Sequence, residues 1–223
     1  MGDRDSEILS KLASLGCGFY ANPTPMPADP EKTLLESLKF FWEDHELFIM
    51  VLGTLVHRIH QLVHIERLIK LAQDISDDHK LILMVICDKL VGAGDARFKI
   101  PIKKLKKRGR RLSRIPEFHK NNYLKKKWGL DPNFLKAHVE VPAYFNVEPK
   151  KFYALKEILK NNPWLKIRTL VGPNHRADLI YFKSSGLASS PSEAISLMTC
   201  SRSTVYRLWD SISMWEGLEK LVA

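Results

Sequence analysis

The chain has few cysteines and no long apolar run, and both shortages limit what it can be. Its 223 residues include three cysteines, Cys17, Cys87 and Cys200, which are far apart. An odd and widely spaced set predicts neither a disulfide framework nor a cysteine-paired metal site, so we expect a reducing, cytoplasmic setting. The longest apolar run, residues 47–56, has about half the length that a bilayer requires. It therefore predicts a buried helix segment.

Signals for targeting and for catalysis are also missing. The N-terminus is charged and no apolar stretch follows it, so we expect neither a signal peptide nor a membrane partner. Gly92-Ala93-Gly94-Asp95 follows a predicted helix and lacks the third glycine of a phosphate loop, which indicates a simple loop. The serine clusters have no histidine and acid in a recognisable nucleophile pattern. We expect no enzyme activity, no cofactor and no metal site.

Positive charge is concentrated in one short stretch of the chain. The formal net charge is +10, yet residues 1–96 hold 9 Lys and Arg against 15 Asp and Glu, a net of −6. Residues 97–127 hold 14 Lys and Arg against the single acid Glu117, a net of +13. A dense cationic segment favours a polyanionic partner. The residues predicted to contact a phosphate backbone are Lys103, Lys104, Lys106, Lys107, Arg108, Arg110 and Arg111.

The hydrophobic periodicity predicts a mainly α protein in several parts. Residues 1–28 are predicted to form a leader broken by glycines and prolines, and residues 29–96 a helical domain for an effector, a partner or dimerisation. Residues 97–147 are predicted to form a basic connector, and residues 148–223 a second helical domain. In the first domain, Asp29 and Pro30 predict a helix start, and further helices are expected over about 45–73 and 77–91.

The C-terminal quarter carries the most specific motif. A helix is predicted from Asn174 to Lys183, and a second begins at Ser190, where proline follows the cap and Glu193 completes a capping box. A two-residue turn, Thr199-Cys200, leads to Ser201, which is expected to cap a helix over about 202–214. Two short helices joined by a tight turn bury one face of each and present the start of the second helix outward.

This arrangement predicts which residues would meet duplex DNA. Arginine pairs with guanine, while hydroxyls and tyrosine reach phosphates or base edges. The predicted DNA-contacting residues are Ser190, Ser192, Ser201, Arg202, Ser203, Thr204, Tyr206 and Arg207. Val205, Leu208 and Ile212 are expected to face inward against Ile195 and Leu197 or Met198.

The motif resembles the helix-turn-helix of bacterial and archaeal winged-helix transcription regulators. The similarity runs through Pro191-Ser192-Glu193-Ala194-Ile195 and Ser201-Arg202-Ser203-Thr204-Val205-Tyr206-Arg207-Leu208. Arg176-Ala177-Asp178-Leu179-Ile180 is similar to the first helix of that domain. It covers roughly residues 168–223. The resemblance implies double-stranded DNA as partner, a recognition helix that reads it, and a homodimer.

The sequence departs from that family at three places, and each departure predicts a structural difference. Thr199 stands where glycine is usual, which predicts an unfavourable backbone at the turn. Ile195 replaces a usual alanine, which predicts a wider separation of the two helices. The sequence ends at Ala223, about where Gly217-Leu218 would begin a wing hairpin, so the wing is expected to be truncated or absent.

The sequence also leaves other functions open. Helix pairs of this kind also mediate protein contacts, as in an antitoxin-like partner, and the neutral charge of residues 173–223 favours that alternative. The basic tract would also suit an RNA-binding protein. His57, His60 and His64 share a predicted helical face, and His60 and His64 have metal-ligand spacing. With no glutamate in the catalytic arrangement between them, a polar helix flank is the better interpretation of the three histidines.

Overall fold

The computed structural model describes residues 3–18, 28–106, 111–115, 120, 122–143 and 152–213. Within these ranges the protein is mainly helical, as the sequence predicted, and has no β-strand. One isolated antiparallel bridge joins Leu130 and Pro142. None of the described helices combines the length and the apolar character needed to cross a membrane.

The α-helices are listed here in chain order, with the bounds used below. They are α1 (Asp3–Ser14), α2 (Pro30–Ser37), α3 (Phe40–Glu43), α4 (His45–Thr54), α5 (Ile65–Leu71), α6 (Asp77–Gly92), α7 (Lys99–Leu105), α8 (Asn122–Trp128), α9 (Pro132–Lys136), α10 (Leu155–Asn161), α11 (Pro163–Val171), α12 (His175–Ser184), α13 (Pro191–Leu197) and α14 (Arg202–Ser213). A π-helical turn (Leu55–Ile59) and two 3-10 turns (His60–Leu62 and Ala96–Phe98) lie between them.

Several helix starts follow from local capping chemistry. Asp29 caps α2 by accepting a hydrogen bond from the Lys32 N–H at 3.0 Å, and Pro30 is the first helical residue. Helix α6 ends at Gly92, and the residues that follow it, Ala93-Gly94-Asp95, form a loop in which Gly94 has a φ of 102°.

The predicted single helix over 45–73 is wrong, because the α-helix ends at Thr54 and the backbone is extended at Val63 and His64. Helix α4 ends at Thr54, the following turns change from π to 3-10 geometry, and His64 has extended backbone before α5 begins. Gly53 itself is helical, and a Cβ there would lie 2.2 Å from the Phe152 ring, so the glycine allows this close packing. The break places His64 at a helix start.

A first hydrophobic core takes in residues from almost the whole N-terminal part of the chain. It includes Leu12 of α1, Phe41 and Leu83, together with Phe134 of α9. Residues 3–18, expected in a leader, therefore contribute a packed helix to this core. The expected connector over 97–147 also differs from an extended linker, since Phe98, Leu105, Val139 and Val141 are buried in the same core.

A second hydrophobic core begins at α11. Its buried members include Trp164, Ile167 and Leu179, and it continues through Val205 to Ile212. Trp164 stacks on Tyr181 with ring centroids 4.6 Å apart and planes inclined by 14°. Helices α12, α13 and α14 pack against one another around this core and are called the three-helix unit below.

Candidate functional site

The three-helix unit is built from helices with well-defined starts. Asn174 caps α12 by accepting from the Ala177 N–H at 3.1 Å, and Ser190 caps α13 by accepting from the Glu193 N–H at 3.3 Å. The carboxylate of Glu193 accepts from the backbone N–H and the hydroxyl of Ser189, so the predicted capping box closes one residue earlier than expected. These bonds lower the pKa of Glu193.

The turn between α13 and α14 differs from expectation in its backbone. Met198 has extended geometry, with φ −87° and ψ 152°, and begins the turn. Among the described non-glycine residues only His138 has a positive φ, so Thr199 does not adopt the left-handed conformation that a glycine would favour. The predicted strain at Thr199 is therefore wrong. Its hydroxyl is buried and has no hydrogen-bond partner among the residues that the structure describes.

Helix α13 faces the second core with a small residue, next to the position that the sequence singled out. Ala194 is fully buried, whereas Ile195 is half-buried at the edge of the second core. Met198 is buried beside them, and Leu197 packs at the edge. The fully buried small residue of α13 is thus Ala194, one position before Ile195, and the wider separation expected from Ile195 stays a prediction.

Helix α14 divides into an inner and an outer face. Val205 and Ile212 are buried, and Leu208 is half-buried against the second core. The residues on the outer side are exposed: Arg202, Ser203, Tyr206, Arg207 and Asp210. The positive part of this face spans the first turn and a half, because Asp210 adds a negative charge beyond it.

Some of the hydroxyl groups predicted to contact DNA already form hydrogen bonds within the chain. Ser201 is exposed, and its Oγ accepts from the Thr204 N–H at 3.3 Å, as a cap of α14 does. The same oxygen lies 2.9 Å from Thr204 Oγ1 and 3.0 Å from Ser203 Oγ. Ser192 is exposed on α13. Arg202, Arg207 and Tyr206 are therefore more available to a partner than these hydroxyl groups are.

The helix that carries two of the described basic residues and α14 pack on different neighbours. Lys103, Lys104, Lys106 and Arg111 are exposed, and α7, which carries the first two, packs on α5 and α6. Helix α14 packs instead on α12 and α13. The other three predicted phosphate contacts, Lys107, Arg108 and Arg110, lie outside the described residues.

Buried charged groups join the two hydrophobic cores, a feature that sequence reasoning missed. We call this group the ionic seam, and its members come from α2, the start of α5, α11 and α12. They are Asp29, Glu31, His64, Arg67, Arg168 and Asp178.

Arg168 is the centre of the ionic seam. Its guanidinium is fully buried and donates to both carboxylate oxygens of Glu31 at 2.6 and 2.8 Å. It also donates from Nε and Nη2 to Asp178 Oδ1 at 3.0 and 2.7 Å, and from Nη1 to the Leu62 carbonyl at 3.0 Å. Such a bidentate contact fixes orientation as well as charge.

Four further contacts, made by Asp178 and Arg67, extend the ionic seam. Asp178 Oδ1 accepts from the Trp164 indole N–H at 2.7 Å, and Asp178 Oδ2 lies 2.6 Å from His64 Nδ1. Arg67 pairs with Asp29 and donates to the Leu197 carbonyl of α13 at 3.0 Å. The N-terminal part and the three-helix unit are therefore connected by directional, charge-assisted hydrogen bonds.

The electrostatics of the seam follow from this geometry. Burial alone would raise the pKa of Asp178, but the Arg168 guanidinium and the His64 contact outweigh it and hold that pKa far below its usual range. Burial acts in the opposite sense on Arg168, and the Glu31 and Asp178 carboxylates keep its pKa above the ordinary value. Both ionised forms are thus favoured in the folded chain.

The three histidines predicted on one helical face contact different partners. His57 stacks on Phe152, and His60 Nδ1 lies 3.0 Å from Asp95 Oδ2. His64 belongs to the ionic seam instead. They do not form a common metal site, because the helix that would align them is broken between His60 and His64.

A sequence signal for the seam exists in the helical pattern. Arg168 lies four residues after Trp164 on α11, and Asp178 lies three and four residues before Tyr181 and Phe182 on α12. A charged residue inside an apolar stripe predicts burial with a partner. The pattern does not name that partner, because Glu31 is 137 residues away from Arg168.

Comparison with known proteins adds no relatives to this description. A scan against protein-family models, a search of curated proteins and a search of solved structures each found no match to the chain.

Proposed function

We propose that this protein is a DNA-binding transcription regulator that reads the major groove with α14. The observation that carries the proposal is the division of that helix. Val205 and Ile212 are buried in the second core, while Arg202, Tyr206 and Arg207 are exposed on the first turns. A recognition helix needs this division, because its inner face holds it on the domain and its N-terminal outer residues reach base edges.

The chemistry of the outer face fits duplex DNA. Arginine forms bidentate contacts with guanine, and tyrosine and serine hydroxyls bond to phosphate oxygens. Within the described residues, no hydrogen bond or ion pair engages the guanidinium of Arg202 or Arg207, so both are available to a partner. We further propose that the protein binds as a homodimer, as the family resemblance implies, because two recognition helices are needed to read a palindromic site.

The experiment that tests this proposal is a genomic DNA pull-down followed by sequencing. The expected result is enrichment of a short duplex site, which purified protein then binds more tightly than a scrambled duplex. Recovery of a stoichiometric protein with no enriched DNA contradicts the proposal and favours the antitoxin-like interaction module.

The basic segment supplies a second, separable part of the proposal. The three-helix unit has little net charge, so the long-range attraction to phosphate is assigned to the exposed Lys103, Lys104, Lys106 and Arg111. Neutralising these four is expected to weaken binding to all duplexes alike. For every phosphate that the variant no longer neutralises, the slope of log affinity against log salt is expected to fall by about 0.9.

The matched control for this experiment neutralises Lys156 and Lys160, which are exposed on α10. It is expected to leave the salt slope unchanged. An unchanged slope in the fourfold variant as well would show that the basic segment makes no phosphate contact.

RNA binding is the second candidate function, and α8 favours it. This helix carries exposed aromatic rings, Tyr123 at 67% and Trp128 at 47% exposure, among the consecutive lysines Lys125–Lys127. Lys127 Nζ lies 5.9 and 5.8 Å from the two ring centroids. Aromatic rings beside cations are the groups on which unpaired bases stack. This candidate predicts that single-stranded RNA competes better than duplex DNA for the purified protein.

A further inference from the structure

Two histidines face each other where the N-terminal part meets the three-helix unit. His64 immediately precedes α5, and His175 is the first residue of α12. Their ring centroids are 4.5 Å apart, with planes inclined by 71°. The two imidazoles therefore come from different hydrophobic units of the chain and meet at the ionic seam.

His175 is oriented by a carboxylate, and His64 lies beside a carboxylate that is itself a candidate ligand. His64 Nδ1 lies 2.6 Å from Asp178 Oδ2, and His175 Nε2 lies 3.0 Å from Glu66 Oε2. A neutral His175 imidazole has one N–H, which the Glu66 carboxylate attracts, so its Nδ1 carries a lone pair. Carboxylates hold metal-binding histidines in this way.

One of the remaining nitrogens has no partner among the described residues. His175 Nδ1 is buried and accepts no hydrogen bond from them, although its side chain as a whole is 17% exposed. A buried polar atom without a partner costs free energy. The geometry at this position therefore indicates a group that supplies the missing interaction.

The charges around the His64 and His175 rings favour a divalent cation. The residues linked by these contacts include four carboxylates, Asp29, Glu31, Glu66 and Asp178, and two guanidiniums, Arg67 and Arg168. With both imidazoles neutral, this group has a net charge of −2. A divalent ion would balance that charge, whereas an anionic ligand would add to it.

We infer that His64, His175 and Asp178 bind one divalent transition-metal ion of the zinc type. One ligand atom from each residue lies within 4.8 Å of the others. Bonds of about 2.0–2.2 Å to one ion bring such atoms within about 4 Å, so small movements of the side chains close the site. Two imidazoles with one carboxylate select zinc, cobalt or nickel over magnesium and calcium.

Such an ion would tie α12, the first helix of the three-helix unit, to the start of α5. The inference does not depend on DNA binding. Because its test contains no DNA, failure of the metal site and failure of the proposed function are separate results.

The experiment is a calorimetric titration of untagged, chelator-treated full chain with zinc chloride, repeated with cobalt chloride to record the absorption spectrum. The expected result is one ion per chain and no binding of magnesium. Glu66→Gln is expected to weaken zinc binding about 10- to 100-fold, because the orienting carboxylate is then absent. His175→Ala is expected to weaken it further.

The matched control is His60→Ala. His60 also lies against a carboxylate, and its side chain is 16% exposed, close to the value for His175. This variant is expected to bind zinc like the original chain. Thermal melts of the metal-free proteins establish that every variant is folded, and Glu66→Gln, which changes an exposed side chain, serves if His175→Ala does not fold.

Two results would overturn the inference. One is the absence of stoichiometric zinc binding by the original chain. The other is zinc binding by folded His175→Ala or Glu66→Gln with unchanged affinity, which would place the ion elsewhere.

Discussion

Arginine has opposite roles in the ionic seam and on the outer face of α14. In the seam, Arg168 is fully buried, and every nitrogen of its guanidinium donates to an oxygen of this chain. On α14, Arg202 and Arg207 are exposed, and no hydrogen bond or ion pair within the described residues engages their guanidinium groups. Arg168 is therefore part of the fold, whereas Arg202 and Arg207 are available to a partner.

The largest expected effect comes from breaking the seam. Arg168→Met removes the guanidinium that bonds to both the Glu31 and the Asp178 carboxylates, and removal of one partner from a buried ion pair typically costs about 3–5 kcal/mol. We expect a decrease of that size in the free energy of unfolding, measured by urea denaturation.

Arg176→Met is the control for that substitution, since Arg176 is exposed on α12. It is expected to change the free energy of unfolding by no more than about 0.5 kcal/mol. If both substitutions lowered the free energy of unfolding equally, the buried arginine would stabilise the fold no more than the exposed one does.

A smaller effect on the free energy of unfolding is expected when acid protonates a carboxylate outside the ionic seam. Burial would raise the pKa of Asp95, but hydrogen bonds from Arg97 and His60 outweigh it and lower that pKa to about 2. A carboxyl whose pKa is lowered by folding stabilises the fold above its ordinary value of 3.8, and that contribution disappears as the pH falls from there toward 2.

Asp95→Asn is therefore expected to flatten the decline in the free energy of unfolding between about pH 5 and pH 3. The measurement is urea denaturation at a series of pH values. Asp74→Asn, at an exposed aspartate, is expected to leave the decline as it is. A decline of the same steepness in both variants would show that the Asp95 contacts do not stabilise the ionised form.

Local chemistry made much of the helical content predictable. The helices after Asn174 and Ser190 begin where the caps indicated, and α6 ends at the glycine loop. These features depend on residues a few positions apart, so the sequence pattern contains them.

Features that depend on distant contacts were not predictable in the same way. The helix expected over 45–73 breaks before His64, because His64 bonds to Glu31 through its backbone N–H at 2.8 Å and to Asp178 through its ring. The backbone at Thr199 likewise follows from how α13 and α14 pack. In both places tertiary contacts outweigh local preference.

The measurement that most directly tests the central claim is the affinity of α14 variants for the duplex recovered from genomic DNA. Arg202→Ala and Arg207→Ala are each predicted to weaken specific binding by about 1–3 kcal/mol in a fluorescence anisotropy titration, with the fold unchanged. Lys160→Ala, at an exposed lysine of α10, is the control and is predicted to bind as the original chain does. Unchanged affinity in both arginine variants would contradict the assignment of α14 as the helix that reads DNA.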